Sequence, residues 1–295
     1  MSYGPNPWQQ TAWDWRAAGN FIGGGAGAGL IVFAGLEAAL GSAAPIRFAC
    51  GSVLVGIGLL CVWLEIGRPL RALNVYRHPR RSWMSREAML AGLLLPCSVA
   101  AAFGVAAAAP IAALLALAFV YAQARMLNAA KGIPAWRAPR VVLLLVCTGL
   151  AEGGGLFLLT SLVHGHGSAT LAAAAALAIC ARWLLWRRYR IHLAAAPAAL
   201  AALDAAAHVL RWLGSAVPLV LIGAALGLVL VGNGAIGAGV AGIAAAVGGI
   251  GAAVAGAWFK FILVTRAGFN QGFALPHLPV RGVRRAATPR RGAAA

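Results

Sequence analysis

Hydrophobic positions fill this chain in long blocks rather than in alternation. Eight apolar segments run over 20–43, 46–66, 85–108, 111–127, 141–163, 168–186, 213–231 and 235–264. Most reach the ~20 residues a helix needs to cross the hydrocarbon of a bilayer. Backbone amides find no water there, so each such block has to be helical. The pattern predicts an all-α, polytopic integral membrane protein with eight transmembrane helices in two four-helix halves. Two limits rest on single residues: Pro110, after an alanine run, splits 85–127, and Asn233 splits the last pair. Residues 1–19 are a polar N-terminal segment, 20–265 the transmembrane domain, and 266–295 a basic tail.

Composition agrees. The chain has 295 residues, 62% of them hydrophobic and 10% charged, with a mean hydropathy of +0.84. Soluble proteins carry about 25% charged residues. The formal net charge is +18, yet the basic residues sit in short loops between apolar runs. Nucleic acid, which asks for a basic face on a soluble domain, is therefore excluded as a partner.

The placement of those residues sets an orientation. The connections 67–84, 128–140 and 187–212 and the tail carry nearly all of them, whereas the opposite connections hold only Arg47. With an even number of spans, both termini share the basic side. The positive-inside rule makes that side cytoplasmic and the membrane the inner one. Trp63, Trp83, Trp183, Trp186, Trp212 and Trp258 map to the same edge, where indoles prefer to lie. The first 19 residues lack the basic-then-apolar order of a cleavable signal peptide. The tail reads either as a lipid-attracted segment or as a docking segment. A short interfacial helix is expected after Pro197, with Asp204 and His208 placed to pair on it. The glycines of the first and last segments allow close helix packing.

Cofactor chemistry on this chain is narrow. Cys50, Cys61, Cys97, Cys147 and Cys180 lie singly inside apolar runs. They read as small buried side chains, not as the grouped thiolates of an iron–sulfur cluster. The six histidines fall in loops or the tail, so the facing pairs of a membrane haem are missing. His164 and His166 are a solvated loop pair or a weak metal pair; no metal site is assigned.

Charged groups at membrane depth are costly, so each needs a reason. Glu65 closes the second segment and Glu87 opens the third, with Arg68, Arg71 and Asn74 between them. Together they could hold a quinone head, which needs hydrogen-bond donors and proton carriers. Equally, Ser85 could cap a helix whose dipole Glu87 complements. Glu152 lies half-way along the fifth segment and Glu37 toward the far end of the first. They belong to a proton path or bond to neighbouring helices.

The stretch from Glu65 to Glu87, EIGRPLRALNVYRHPRRSWMSRE, resembles the signature loop of the membrane anchor subunits of dimethyl sulfoxide reductase-type and polysulfide reductase-type molybdenum oxidoreductases. In that family a His-Leu-Gly-x-Pro-x-Arg stretch leads to Ser-Arg-Glu. KGIPAWRAP, residues 131–139, is similar to the region after the family's fourth span. The opening NPWQQTAWDWRAAGNF resembles the membrane subunits of phenylacetyl-CoA:acceptor oxidoreductases. The resemblance implies an anchor for two partners: a four-cluster iron–sulfur subunit and a catalytic subunit holding a molybdenum bis-pterin cofactor. It implies electron transfer to ubiquinone or menaquinone, with Arg71 and Glu87 as the carried site positions. The family's histidine is Glu65 here, which donates a hydrogen bond only when protonated. A proton or solute transporter, with Glu37 and Glu152 on its path, is the competing expectation.

Overall fold

The computed structural model describes residues 7–42, 45–65, 69–164, 168–232 and 234–271. They are helical almost throughout; among them the only β-pairing is a bridge between Gln9 and Phe269. The long helices are α1 (Trp15–Ala39), α2 (Pro45–Glu65), α3 (Trp83–Ala102), α4 (Ala108–Ala129), α6 (Val141–His164), α7 (Ala169–His192), α9 (Val217–Val231) and α10 (Gly234–Thr265). A single turn, α5 (Pro134–Arg137), and a helix α8 (Pro197–Arg211) complete the set, with a 3-10 segment over Pro69–Arg77. Seven stretches are long and apolar enough to cross a membrane, with α8 and α9 counted as one. The chain is thus an all-α, multi-pass membrane protein.

Local chemistry sets the helix ends. Asp14 caps α1 by accepting from the Arg16 backbone N–H, and Ser168 caps α7 through the Leu171 N–H. Ser82, not Ser85, caps α3: its hydroxyl accepts from the Ser85 N–H, and Ser85 is buried inside the first turn. Gly232 ends α9 in the left-handed region at φ 70°, a conformation that costs glycine little. Asn233, the expected break, lies outside the described residues. Pro110 sits in the first turn of α4, where a missing N–H costs nothing.

Two differences from the expected segments have one cause. α7 runs to His192, well past the apolar stretch, and α8 joins α9 through a π-turn at Trp212–Ala216 into one continuous rod. Hydropathy marks the thickness of the bilayer, not the length of a helix. The amphipathic α8 buries Ala199, Leu203, Ala206 and Leu210 against the bundle, so it packs on protein. The five cysteines are half-buried rather than fully buried.

Helices α1–α4 pack in a ring, each on the next, and α6, α7, α9 and α10 repeat that ring. The rings meet where α1 lies along α6, flanked by α1 on α10 and α4 on α6. Exchanging α1 with α6 and α4 with α10 therefore reproduces the contact pattern. α1 and α6 run parallel, Gly25 facing Gly149 and Gly29 facing Gly153. A Cβ on Gly29 or Gly153 would collide with the other helix's backbone, so the crossing depends on small residues four apart.

One end of the bundle is stitched. The Gln10 N–H donates to Gly268 O at 2.8 Å, and the Asn270 N–H donates to Trp8 O at 3.0 Å. Trp136 of the KGIPAWRAP stretch stacks on Trp13 at 4.8 Å and donates its indole N–H to Leu263 O at 2.9 Å. Tyr189 reaches Ala135 O at 2.8 Å. The start of α1, the end of α10 and the 131–139 loop thus form one platform at the basic end.

Candidate functional site

Three polar clusters lie inside the bundle. The first is near the basic end. Glu87, on the second turn of α3, is only 4% exposed. Asn20 of α1 donates its Nδ2 to Glu87 Oε1 at 3.0 Å. Gln123 of α4 donates its Nε2 to Asn20 O at 2.9 Å and to Glu87 Oε1 at 3.3 Å. Gly24 leaves the space that Gln123 Nε2 fills. Asn20 Oδ1 is buried without a hydrogen-bond partner. Among the described residues no cation pairs with Glu87. Its neighbour Arg86 turns outward to Pro79 O at 2.8 Å and Arg80 O at 3.0 Å, and covers the Trp83 ring.

The residues expected around Glu87 are spread along the same edge. Glu65 is half-buried at the end of α2 and faces Arg16 of α1. Arg16 also binds Leu64 O at 3.2 Å and pairs with Asp14 at 2.8 Å. Hydrogen bonding to Arg16 holds the Asp14 carboxyl below its ordinary value of 3.8. Arg16 and Asn20 stand one turn apart on α1, so Glu65 and Glu87 address neighbouring positions of one helix face. Asn74 is exposed on the 3-10 segment. Arg71 lies on that segment, but its side chain is outside the described residues, as is the whole of Arg68.

The second cluster sits deeper. Glu152 of α6 and Arg182 of α7 are 0% exposed, and Lys260 of α10 is 1% exposed. Lys260 Nζ donates to Glu152 Oε2 at 2.6 Å and to Phe21 O at 2.8 Å. Arg182 donates to Ala252 O at 2.8 Å and to Gly214 O, a carbonyl of the π-turn. It meets Glu152 across Gly256, where a Cβ would stand 2.6 Å from Glu152 Oε1 and 3.0 Å from Arg182 Nη1. Gly25 separates this cluster from the first. A Cβ there would collide with Lys260 Nζ and stand 3.6 Å from Gln123 Oε1. Absence of that side chain leaves one small gap in a polar chain running from Glu87 to Arg182.

The third cluster is at the far end. Glu37 forms an ion pair with the fully buried Arg47. Arg47 donates to Thr160 Oγ1 at 3.1 Å and Ser161 Oγ at 3.0 Å, and lies over the Phe157 ring at 4.3 Å. Glu37 and Glu152 thus have separate partners. At about 1.5 Å per residue, Glu37 is some 18 Å along α1 from Gly25.

Asn20, Gln123, Arg182 and Lys260 were not among the residues expected from sequence. Their signal was present: each is a strongly polar residue inside an apolar run. Asp204 pairs with Arg190 rather than with His208. Among the described residues no group of three histidines, cysteines or acids is placed to hold a metal ion. His166 and the side chain of His164 lie outside them.

No protein-family model matches the chain, and no curated protein matches its sequence.

Proposed function

We propose that the chain is the quinone-reactive membrane anchor of a multi-subunit molybdenum and iron–sulfur oxidoreductase. The Glu87–Asn20–Gln123 cluster is the observation that carries this reading. It sits at the end of the stretch whose sequence resembles the anchor subunits, one turn along the same face of α1 from the position that Glu65 faces. A bound ubiquinone or menaquinone supplies a two-electron, two-proton acceptor. The residues fit its head group: Glu87, a buried carboxyl held by neutral donors, donates to a quinone carbonyl when protonated, and Asn20 Oδ1, a buried acceptor with nothing bound, suits the hydroxyl of the quinol product. Glu87 delivers and recovers the proton, while Asn20 and Gln123 fix its position. Glu65 and Asn74 stand along the same edge, and Arg68 and Arg71 belong to the site on the resemblance alone.

The rest follows from orientation. α3 is the eighth span alongside the seven apolar stretches. The stitched basic end faces the cytoplasm of the inner membrane, and the four-cluster iron–sulfur subunit docks there, carrying electrons from the molybdenum subunit. A cytoplasmic platform suits oxidation of a CoA thioester, because such thioesters stay in the cytoplasm. The resemblance of the first residues to phenylacetyl-CoA:acceptor oxidoreductase subunits makes phenylacetyl-CoA the proposed substrate of the catalytic partner.

The test is Glu87→Gln in the assembled complex. Quinone-linked turnover falls by about 100-fold or more, the usual worth of a positioned proton donor. Turnover with a soluble dye that takes electrons from the iron–sulfur subunit stays unchanged. Unaltered quinone-linked turnover rejects the site.

One observation favours a second reading. The buried Glu152–Lys260–Arg182 cluster continues toward Gln123, as a proton conductor would. Proton flux through vesicles holding this chain alone, lost in Glu152→Gln, would establish a channel or transporter in place of the anchor.

A further inference from the structure

The chain contains six acidic residues, and each has a place. Asp14 pairs with Arg16, Glu37 with Arg47, Glu152 with Lys260 and Asp204 with Arg190. Glu65 faces Arg16 and Glu87 is held by two amides. None remains for the other basic side chains at the end of α7 and along α8.

Two of them, Arg187 and Arg211, line one cavity together with the Arg190–Asp204 pair. It has a volume of about 830 Å³ and opens between α7, α8 and the π-turn. Its polar wall carries Arg187, Arg190, His208 and Arg211. Arg190 spends its charge on Asp204, and Arg211 covers the Trp212 ring at 5.2 Å. Arg187 and Arg211 are exposed, and among the described residues neither has an acidic partner. The cavity also has an apolar lining, with Ala216 at the end of the π-turn, Leu219 at the start of α9, and Trp183. The cavity thus changes from cationic to apolar where the chain passes from the basic connection into a membrane-crossing stretch, with indoles at the boundary. Indoles mark the headgroup level of a bilayer.

We propose that this cavity binds an anionic phospholipid, with the headgroup phosphate against Arg187 and Arg211 and the acyl chains along Ala216 and Leu219. Phosphate suits a paired guanidinium wall, and basic pockets between spanning helices are suited to anionic headgroups. The apolar lining distinguishes a lipid from a free phosphate ion, which has nothing to place there. The π-turn makes the site: it widens the rod between Arg211 and Val217, and Arg182 anchors it from behind through Gly214 O. The proposal depends only on the chain being a membrane protein, not on the quinone reading.

The experiment is native mass spectrometry of the full-length chain extracted from vesicles of equal parts phosphatidylcholine and phosphatidylglycerol. One phosphatidylglycerol stays bound to the unaltered chain in preference to phosphatidylcholine. In the double variant Arg187→Gln/Arg211→Gln its affinity falls about 30-fold, as two arginines near a lipid surface imply. Both positions are exposed, so the variant keeps its fold; an unchanged circular dichroism melt verifies that. Equal retention of phosphatidylglycerol by the variant overturns the proposal. So does equal binding of the two lipids by the unaltered chain. Displacement of the lipid by an equal concentration of inorganic phosphate would make this a free-anion site and also overturn it.

Discussion

Glu87 in one four-helix ring and Glu152 in the other are both buried, and they are held differently; Glu37, also buried in the first ring, is paired with Arg47 as Glu152 is with Lys260. In the ring of α1–α4, Glu87 is met by two neutral amides. In the ring of α6, α7, α9 and α10, Glu152 is met by an ammonium, with a guanidinium close by. A carboxylate paired with buried cations is costly to disturb, because removing either partner leaves an uncompensated ion in the membrane. A carboxyl among amides is held in place in either protonation state. On the proposed function, proton exchange belongs to Glu87 in the first ring, while the Glu152 pair supports the bundle electrostatically.

The largest effect should come from breaking the pair. Lys260→Met leaves Glu152 buried without its ammonium and should cost about 3–5 kcal/mol of stability. The double variant Lys260→Met/Glu152→Gln should recover most of that loss. Chemical unfolding in detergent measures both, and a double variant as unstable as the single one breaks the electrostatic account. Glu87→Gln should behave in the opposite way, with stability changed by no more than about 1 kcal/mol but quinone-linked turnover reduced about 100-fold. A matching loss of stability would make Glu87 a structural residue like Glu152.

Gly25→Ala tests the separation of the clusters. The added methyl pushes against Lys260 Nζ, and overpacking of this kind costs about 1–3 kcal/mol. Thermal unfolding in detergent reads it. A variant as stable as the parent would mean that Lys260 has room to swing toward Gln123, which would merge the two regions.

The smallest effect concerns the surface pair at the start of α1. Asp14→Ala removes a helix cap and should cost about 0.5–1 kcal/mol, with Glu87-dependent turnover unchanged. Asp14 titrates below its ordinary value when folded. Its contribution is therefore complete above pH 3.8 and lost as the pH falls through the lower, folded value. Added salt weakens the exposed pair as well. Turnover that fell in this variant would tie the Asp14–Arg16 pair at the start of α1 to the Glu87 site.

Much of the architecture was legible in the apolar blocks. Helices lie at the eight marked segments, and seven stretches are long and apolar enough to cross a membrane, because the need to satisfy the backbone in lipid leaves no other choice. Where helices outlast their apolar stretch, as α7 does to His192, hydropathy carried no signal. The repeat of one ring by the other was also hidden. It lives in which helices touch, and α1 and α6 share little beyond their paired glycines. Of the candidate site, Glu87 was visible as an acid at a segment edge. Asn20 and Gln123 were not, since a search for charge passes over neutral amides. Lys260 and Arg182 were obscured by their neighbours: each lies near a basic connection, where arginine and lysine are expected for orientation alone.

The most direct test of the account is to label the intact complex with a photoreactive quinone and map the adducts on this chain. The account predicts adducts around Asn20 at the start of α1, at the start of α3, and on the segment Pro69–Arg77, with labelling competed away by unmodified quinone. Adducts confined to α6, α7 and α10 around Glu152 would contradict it and move the chemistry to the second ring.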